Sequence, residues 1–249
     1  MPTFASYPSL KDKSVFVSGG GSGIGAAIVE HFAAQGSKVG FVDIDEAAST
    51  AVAKKTGATF IKCDIRDVKA YQEAIEQVAG KHGAITALIN NAARDDRHDI
   101  ADVTPEFWDE RMAVNLRHAY FAIQSVAPGM KKAGGGSIVN FSSVSYHTMT
   151  PRLSVYQSAK AAVIGMTRGL ARDLGPDKIR LNAITPGWIM TQRQIDLWLT
   201  PESEADLMKA QVLKEKVYPA DIARMALFLA SDDSRLISAQ NFVVDGGRM

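Results

Sequence analysis

The chain has 249 residues and a single cysteine, Cys63, so no intrachain disulfide can form and the composition fits a reducing compartment. Long apolar runs are also missing. No segment approaches the ~20 residues that a membrane helix needs, and Met1–Lys13 lacks the apolar core of a secretion signal. Excess charge of either sign is absent: 28 Lys+Arg against 27 Asp+Glu leave a net charge of +1. That balance excludes the electrostatic footprint of a nucleic-acid or anionic-membrane partner. The five histidines (His31, His82, His98, His118 and His147) are scattered, with no close ligand pair and no cysteine cluster, so no metal site is predicted. These absences predict a soluble cytoplasmic protein.

What is present is an alternation. Strand-like runs recur at 14–18, 39–43, 59–63, 86–90, 137–142, 179–184 and 241–244, with helical stretches at 23–35, 67–82, 106–128, 154–174 and 219–230. Strands alternating with helices predict an α/β fold: one doubly wound parallel sheet of about seven strands, Rossmann-like, flanked by helices. A length of 249 residues suits a single domain over 1–249. The stretch 192–216, two helical pieces around Pro201, breaks the alternation and is predicted to be a substrate lid.

Three residues in 134–160 carry acid–base chemistry. Tyr156 and Lys160 are four apart, which on a helix places both side chains on one face. A free tyrosine, with a pKa of about 10, is a poor base near neutrality. An ammonium beside it favours the phenolate and is expected to lower that value. Ser143 follows the buried-strand pattern Ser137–Phe141, so its hydroxyl is expected at a strand's carboxyl end, where open α/β sheets bind ligands. A tyrosine and a lysine at helical spacing are common by themselves, and the pairing gains weight from a second motif.

That motif is Val15-Phe16-Val17-Ser18 followed by Gly19-Gly20-Gly21-Ser22-Gly23-Ile24-Gly25 and a helix with apolar residues at 28, 29 and 32. Glycines let the backbone approach a pyrophosphate, and the helix start supplies free amides and a positive dipole end. A second strand ends at Asp43, with Ile44 beside it, eighteen residues after Gly25. An acid at that distance accepts hydrogen bonds from the adenosine ribose and repels a 2′-phosphate. No arginine stands at 18–25 or 44–48, so NAD is expected in preference to NADP.

On these residues the chain resembles the short-chain dehydrogenase/reductase family over essentially its whole length. Ser18-Gly19 through Gly25 match the family's Thr-Gly-x-x-x-Gly-x-Gly, with serine for threonine, and Ser143, Tyr156 and Lys160 keep the thirteen-residue serine-to-tyrosine interval. The resemblance implies that Asp64, flanked by Ile65, holds the adenine amino group. Asn91, Ala92 and Ala93 would line the cofactor, with alanine where the family has a last glycine. Pro186, Gly187, Ile189 and Thr191 would cradle the nicotinamide carboxamide. Asn115 would be a fourth catalytic residue, keeping a water beside Lys160, while Tyr156 and Lys160 would also touch the cofactor. A homotetramer built on the 106–128 and 154–174 helices and the C-terminal strand is implied as well.

Segments 91–104, 108–111, 115–118, 127–132, 191–194 and 198–202 are further similar to bacterial aldose 1-dehydrogenases of that family. This narrower likeness implies NAD-dependent oxidation of an aldose, such as D-xylose, L-arabinose or D-galactose, at C1 to the aldonolactone, with Tyr156 as base. An NAD(P)-dependent reductase or dehydrogenase of another small alcohol, ketone or 3-oxoacyl substrate is the alternative enzyme, and an NAD-binding sensor the non-enzymatic one. For the sugar, loops at strand ends offer Arg94, Asp96 and His98, then Ser145 and His147, then Gln157. Trp188 offers a ring for the sugar's C–H face, and Gln192 and Arg193 lie in the lid.

Overall fold

The computed structural model describes residues 4–249. Seven strands form one sheet: β1 (Ser14–Ser18), β2 (Lys38–Asp43), β3 (Thr59–Lys62), β4 (Ala87–Asn90), β5 (Gly136–Phe141), β6 (Ile179–Pro186) and β7 (Asn241–Val244). Their order is β3-β2-β1-β4-β5-β6-β7 and every pairing is parallel. Parallel neighbours need long crossovers, and helices supply them: α1 (Gly23–Ala34), α2 (Glu46–Thr56), α3 (Val68–His82), α4 (Pro105–Met112), α5 (His118–Lys132), α6 (Ser154–Leu174), α7 (Gln192–Trp198), α8 (Pro201–Ala210) and α9 (Pro219–Ala230).

Successive strand residues point to opposite faces, so a central strand must be apolar on both. β1 is buried throughout. Val15 and Val17 join one core with Ile28, Val29 and Phe32 of α1 and Ile222 and Ala226 of α9. Phe16 joins the other with Tyr71, Ile75 and Val78 of α3 and Ile123 and Val126 of α5. Each such Val, Ile or Phe side chain, fully buried, contributes about 1.5–3 kcal/mol from area alone. Gly40 of β2 is where α3 comes closest: a Cβ there would lie 2.4 Å from Val78 Cγ1.

Two helices depart from the expected pattern. α2 is missing from the sequence reading because only Ser49 and Val52 on it are buried, too thin a stripe to stand out. It forms on its caps: Asp45 accepts from the Ala48 amide, and Gly57 ends it at φ 75°. The helix expected at 106–128 starts with Thr104 accepting from Phe107 N. It then loosens into a π turn at Ala113–Arg117 and runs through Pro128 to Lys132, past the expected end at 128. The stretch 192–216 does hold two helical pieces, α7 and α8, and Pro201 is the first residue of the second.

The chain leaves β1 toward β2 on one side and later returns to β4 on the other. At this reversal the loops after the two strands diverge and leave a crevice at their carboxyl ends. No helix among the described residues is long and apolar enough to cross a membrane.

Candidate active site

The crevice is a cleft of about 590 Å³. At one end lie Gly19, Ser22, Gly23, Ile24 and Gly25 of the turn from β1 into α1. Gly19 (φ 69°) and Gly23 (φ 54°) occupy backbone that disfavours side chains. Gly25 packs against the strand end so closely that a Cβ would stand 1.7 Å from the Gly19 carbonyl oxygen. Ser22, at the α1 N-cap, makes no side-chain cap bond, so the first-turn amides face the cleft unclaimed by it. That cradle fits a pyrophosphate.

Asp43 and Ile44 line the same cleft at the end of β2. The Asp43 carboxylate is fixed by the Gly21 amide on Oδ2 (2.9 Å) and the Asp45 amide on Oδ1 (3.0 Å), which leaves acceptor capacity for ribose hydroxyls. Asp64 and Ile65 line it after β3. Asp64 is held by Arg66, whose Nε donates to both carboxylate oxygens at 3.0 and 2.9 Å, and this pairing lowers the Asp64 pKa. Asn91, Ala92 and Ala93 follow β4, and Asn91 Nδ2 donates to the carbonyls of Ser18 (3.1 Å) and Gly19 (3.0 Å), tying the two loops together. Pro186, Gly187, Ile189 and Thr191 line the cleft beyond β6, with Thr191 capping α7. The nicotinamide-dinucleotide residues expected from the sequence thus share one cleft.

Ser143, Tyr156 and Lys160 meet in its middle. The end of β5 grips α6 here: Lys160 Nζ donates to Phe141 O at 2.8 Å, and Ser142 Oγ donates to Lys160 O at 2.8 Å. Lys160 Nζ lies 5.6 Å from the Tyr156 ring centroid. Burial pushes the Tyr156 phenol up, Asp95 pushes it further, and a hydrogen bond with Ser143 works against both. Burial pushes Lys160 down to about 7, opposed by Asp95. The lowering of the Tyr156 pKa expected from Lys160 is not found: desolvation, which disfavours both charges, and Asp95 raise it, and Ser143 is the group that lowers it. Lys160 is 2 % exposed and spends its hydrogen bond on a carbonyl.

Asn115 is buried on the π turn and does not line the cleft. Its Oδ1 accepts from Arg94 N at 2.9 Å, and its Nδ2 donates to Arg94 O at 3.1 Å and Arg111 O at 3.0 Å. The side chain thereby clasps the loop after β4.

The substrate residues expected from the sequence divide. Arg94, Ser145, Trp188, Gln192 and Arg193 line the cleft. Asp96, His98, His147 and Gln157 do not. Asp96 pairs with Arg94 (2.8 Å), Arg111 and Arg193. His98 is buried, its ring nitrogens bonded to Asp96 O and Ser154 Oγ. His147 is exposed and stacks on Tyr146. Gln157 Nε2 donates to Ser145 O (2.9 Å) and Thr150 O (2.7 Å), shaping the loop behind the cleft.

The loop after β4 turns Asp95 and Arg97, not Asp96 and His98, to the cleft. Asp95 accepts from Gln194 Nε2 (2.9 Å) and Arg193 Nη2 (3.2 Å). The Arg97 guanidinium covers the Trp198 ring at 4.1 Å. Gln194, Thr150, Leu153 and Arg248 complete this end. Asp95 and Arg97 alternate in the sequence with the expected residues Arg94, Asp96 and His98, and nothing local to this charged string marked which of its residues faced inward.

A family model described as enoyl-(acyl carrier protein) reductase matches residues 19–248. The protein named "Probable galactose dehydrogenase GalD" of Rhizobium meliloti (strain 1021) is 49 % identical over 247 residues, covering 97 % of this chain and 96 % of its own. D-xylose 1-dehydrogenase of Caulobacter vibrioides (strain NA1000 / CB15N) is 48 % identical over 248 residues, covering 98 % of each. Among solved structures, a blue fluorescent protein from a metagenomic library, in complex with NADPH, superposes with a TM-score of 0.89 at 33 % identity, over 96 % of this chain and 99 % of that one. With this near-complete likeness and the glycine turn and Ser143, Tyr156 and Lys160 gathered in one cleft, the chain belongs to the short-chain dehydrogenase/reductase family.

Proposed function

We propose that this dehydrogenase oxidises an aldose at C1 to the aldonolactone with NAD. The observation that carries the reading is the 48–49 % identity, over almost the whole chain, to proteins named as D-xylose and galactose dehydrogenases. The polar substrate end of the cleft supports it, because aldose hydroxyls need paired donors and acceptors and Arg94, Asp95, Ser145, Gln192 and Gln194 supply both.

Tyr156 takes the proton of the anomeric hydroxyl. Ser143, within hydrogen-bonding reach of the phenol, donates to the same sugar oxygen and orients it. NAD, when bound, supplies the hydride acceptor at its nicotinamide and a positive charge beside the phenol. Lys160, with Nζ 5.6 Å from the Tyr156 ring centroid, adds a charge when protonated, and the proton would pass through it toward the Asn115 turn. Burial makes a lone phenolate costly at Tyr156, so the base forms only where these charges converge. The glycine turn holds the pyrophosphate, Asp43 the adenosine ribose and Asp64 the adenine.

NAD is preferred because Asp43, held by two neutral backbone amides, would repel a 2′-phosphate. Arg66, the nearby cation, is already committed to Asp64 and, at 2.7 Å, to Glu110. In the same reading 192–216 closes over the sugar, and a cytoplasmic homotetramer assembles on the faces of α4 to α6 and on β7.

The test is the appearance of reduced cofactor with D-xylose, L-arabinose, D-galactose, L-fucose and D-glucose, each with NAD and with NADP. Turnover of one or two sugars with NAD is expected. No turnover of any sugar overturns the aldose assignment and moves the search to ketones and 3-oxoacyl substrates.

A further inference from the structure

Four carboxylates line the cleft: Asp43, Asp64, Asp95 and Glu110. Asp64 and Glu110 are spent on Arg66, and Asp43 stands by the glycine turn. Asp95 is different. It lines the cleft together with Ser143, Tyr156 and Lys160, and its charge raises the pKa of both Tyr156 and Lys160.

Its orientation is set by a relay. Trp188 Nε1 donates to Gln194 Oε1 at 2.9 Å, which fixes the amide so that Nε2 faces Asp95 Oδ2 at 2.9 Å. Arg193 Nη2 reaches Asp95 Oδ1 at 3.2 Å. A carboxylate has about four lone-pair sites. Two are filled here, one of them by a neutral amide, and the carboxylate remains open to the cleft with 26 % of its side chain exposed. Neighbouring Asp96 faces three arginines instead and lies outside the cleft. The Arg193 pair is itself half-exposed, and such pairs contribute little to stability, so fastening the lid does not explain a carboxylate at this position.

Resting on the aldose reading above, we propose that Asp95 is a specificity-determining residue: its carboxylate accepts a hydrogen bond from a sugar hydroxyl other than the one at C1. Hydroxyl-to-carboxylate bonds are charge-assisted and strongly directional, which suits the discrimination of epimers. The half-buried Trp188 indole beside it offers an apolar surface for the sugar's C–H face, and Gln194 couples the two. Gln194 is a positioning residue in this arrangement.

The experiment compares wild type, D95N and D95S on the preferred aldose and on its monodeoxy analogues, with NADH affinity by fluorescence as the check on folding. D95N is expected to lose about 10- to 100-fold in kcat/KM on the parent sugar, mainly through KM, while its NADH affinity stays within about twofold. On the analogue lacking the recognised hydroxyl, wild type and D95N are expected to become equal. An equal loss on the parent sugar and every analogue overturns the assignment, since it reports only a charge or a lid effect, and so does no loss at all. Should D95N fail to bind NADH, D95S carries the same comparison. A wild type that oxidises no aldose removes the underlying reading as well, whereas an active wild type with uniform losses removes the Asp95 assignment alone.

Discussion

Lys160 imposes a stability cost whose size and pH window follow from its surroundings. It is buried and its Nζ reaches only Phe141 O, so desolvation pushes its pKa from 10.5 down to about 7. Unfolded, it stays charged to about pH 10.4. Between about pH 7 and 10.5 the unfolded chain therefore binds the extra proton, and native stability rises with pH across that window. A difference of three and a half pKa units corresponds to about 5 kcal/mol, present in full below pH 7 and absent above 10.5.

Lys160→Met removes the charge but orphans the Phe141 carbonyl, at a cost of about 1–3 kcal/mol. The ligand-free variant should be more stable than wild type by about 2–4 kcal/mol at pH 6, and less stable by about 1–3 kcal/mol near pH 11, as the balance of these two terms. Urea unfolding followed by tryptophan fluorescence across this range gives both curves. They should cross. Parallel curves, or a variant less stable at pH 6, would refute the argument that burial of a charge dominates at this position.

Three further outcomes are expected. Tyr156→Phe keeps the ring but removes the proton acceptor, so turnover should fall by at least about 10²–10⁴-fold while NADH affinity, measured by fluorescence titration, barely moves. Gly25→Ala places a Cβ 1.7 Å from the Gly19 carbonyl oxygen, a backbone contact that no rotamer relieves. It should abolish cofactor binding in calorimetry and lower stability by about 1–3 kcal/mol or more. Asp43→Asn removes the charge that repels a 2′-phosphate, and since such like-charge contacts cost several kcal/mol, the ratio of kcat/KM for NADP to that for NAD should rise by about tenfold or more.

Local chemistry made much of this protein legible before any fold was known. The glycine turn, Asp43 and the Tyr156–Lys160 spacing each state a need that neighbouring residues alone define: close backbone approach, an acid at a strand end, two side chains on one helix face. The strands were equally plain, because a strand buried on both faces, such as Val15-Phe16-Val17, must be apolar at every position. α2 escaped because its formation rests on Asp45 and Gly57 caps and not on an apolar stripe.

The substrate end was not readable in the same way. In the charged string after β4, Arg94, Asp95 and Arg97 line the cleft while Asp96 and His98 are drawn behind it, by Arg111 and by Ser154 respectively. Gln157 likewise serves the loop at Ser145 and Thr150. These partners are 15 and 56 residues away for the string and 12 and 7 for Gln157, so only the folded chain decides which polar side chain is used up inside and which is left free. The acid–base balance depends on tertiary structure too. Sequence brings a lysine beside a tyrosine, but burial raises one pKa and lowers the other, because desolvation acts through everything packed around a charge and not through its neighbours in the chain.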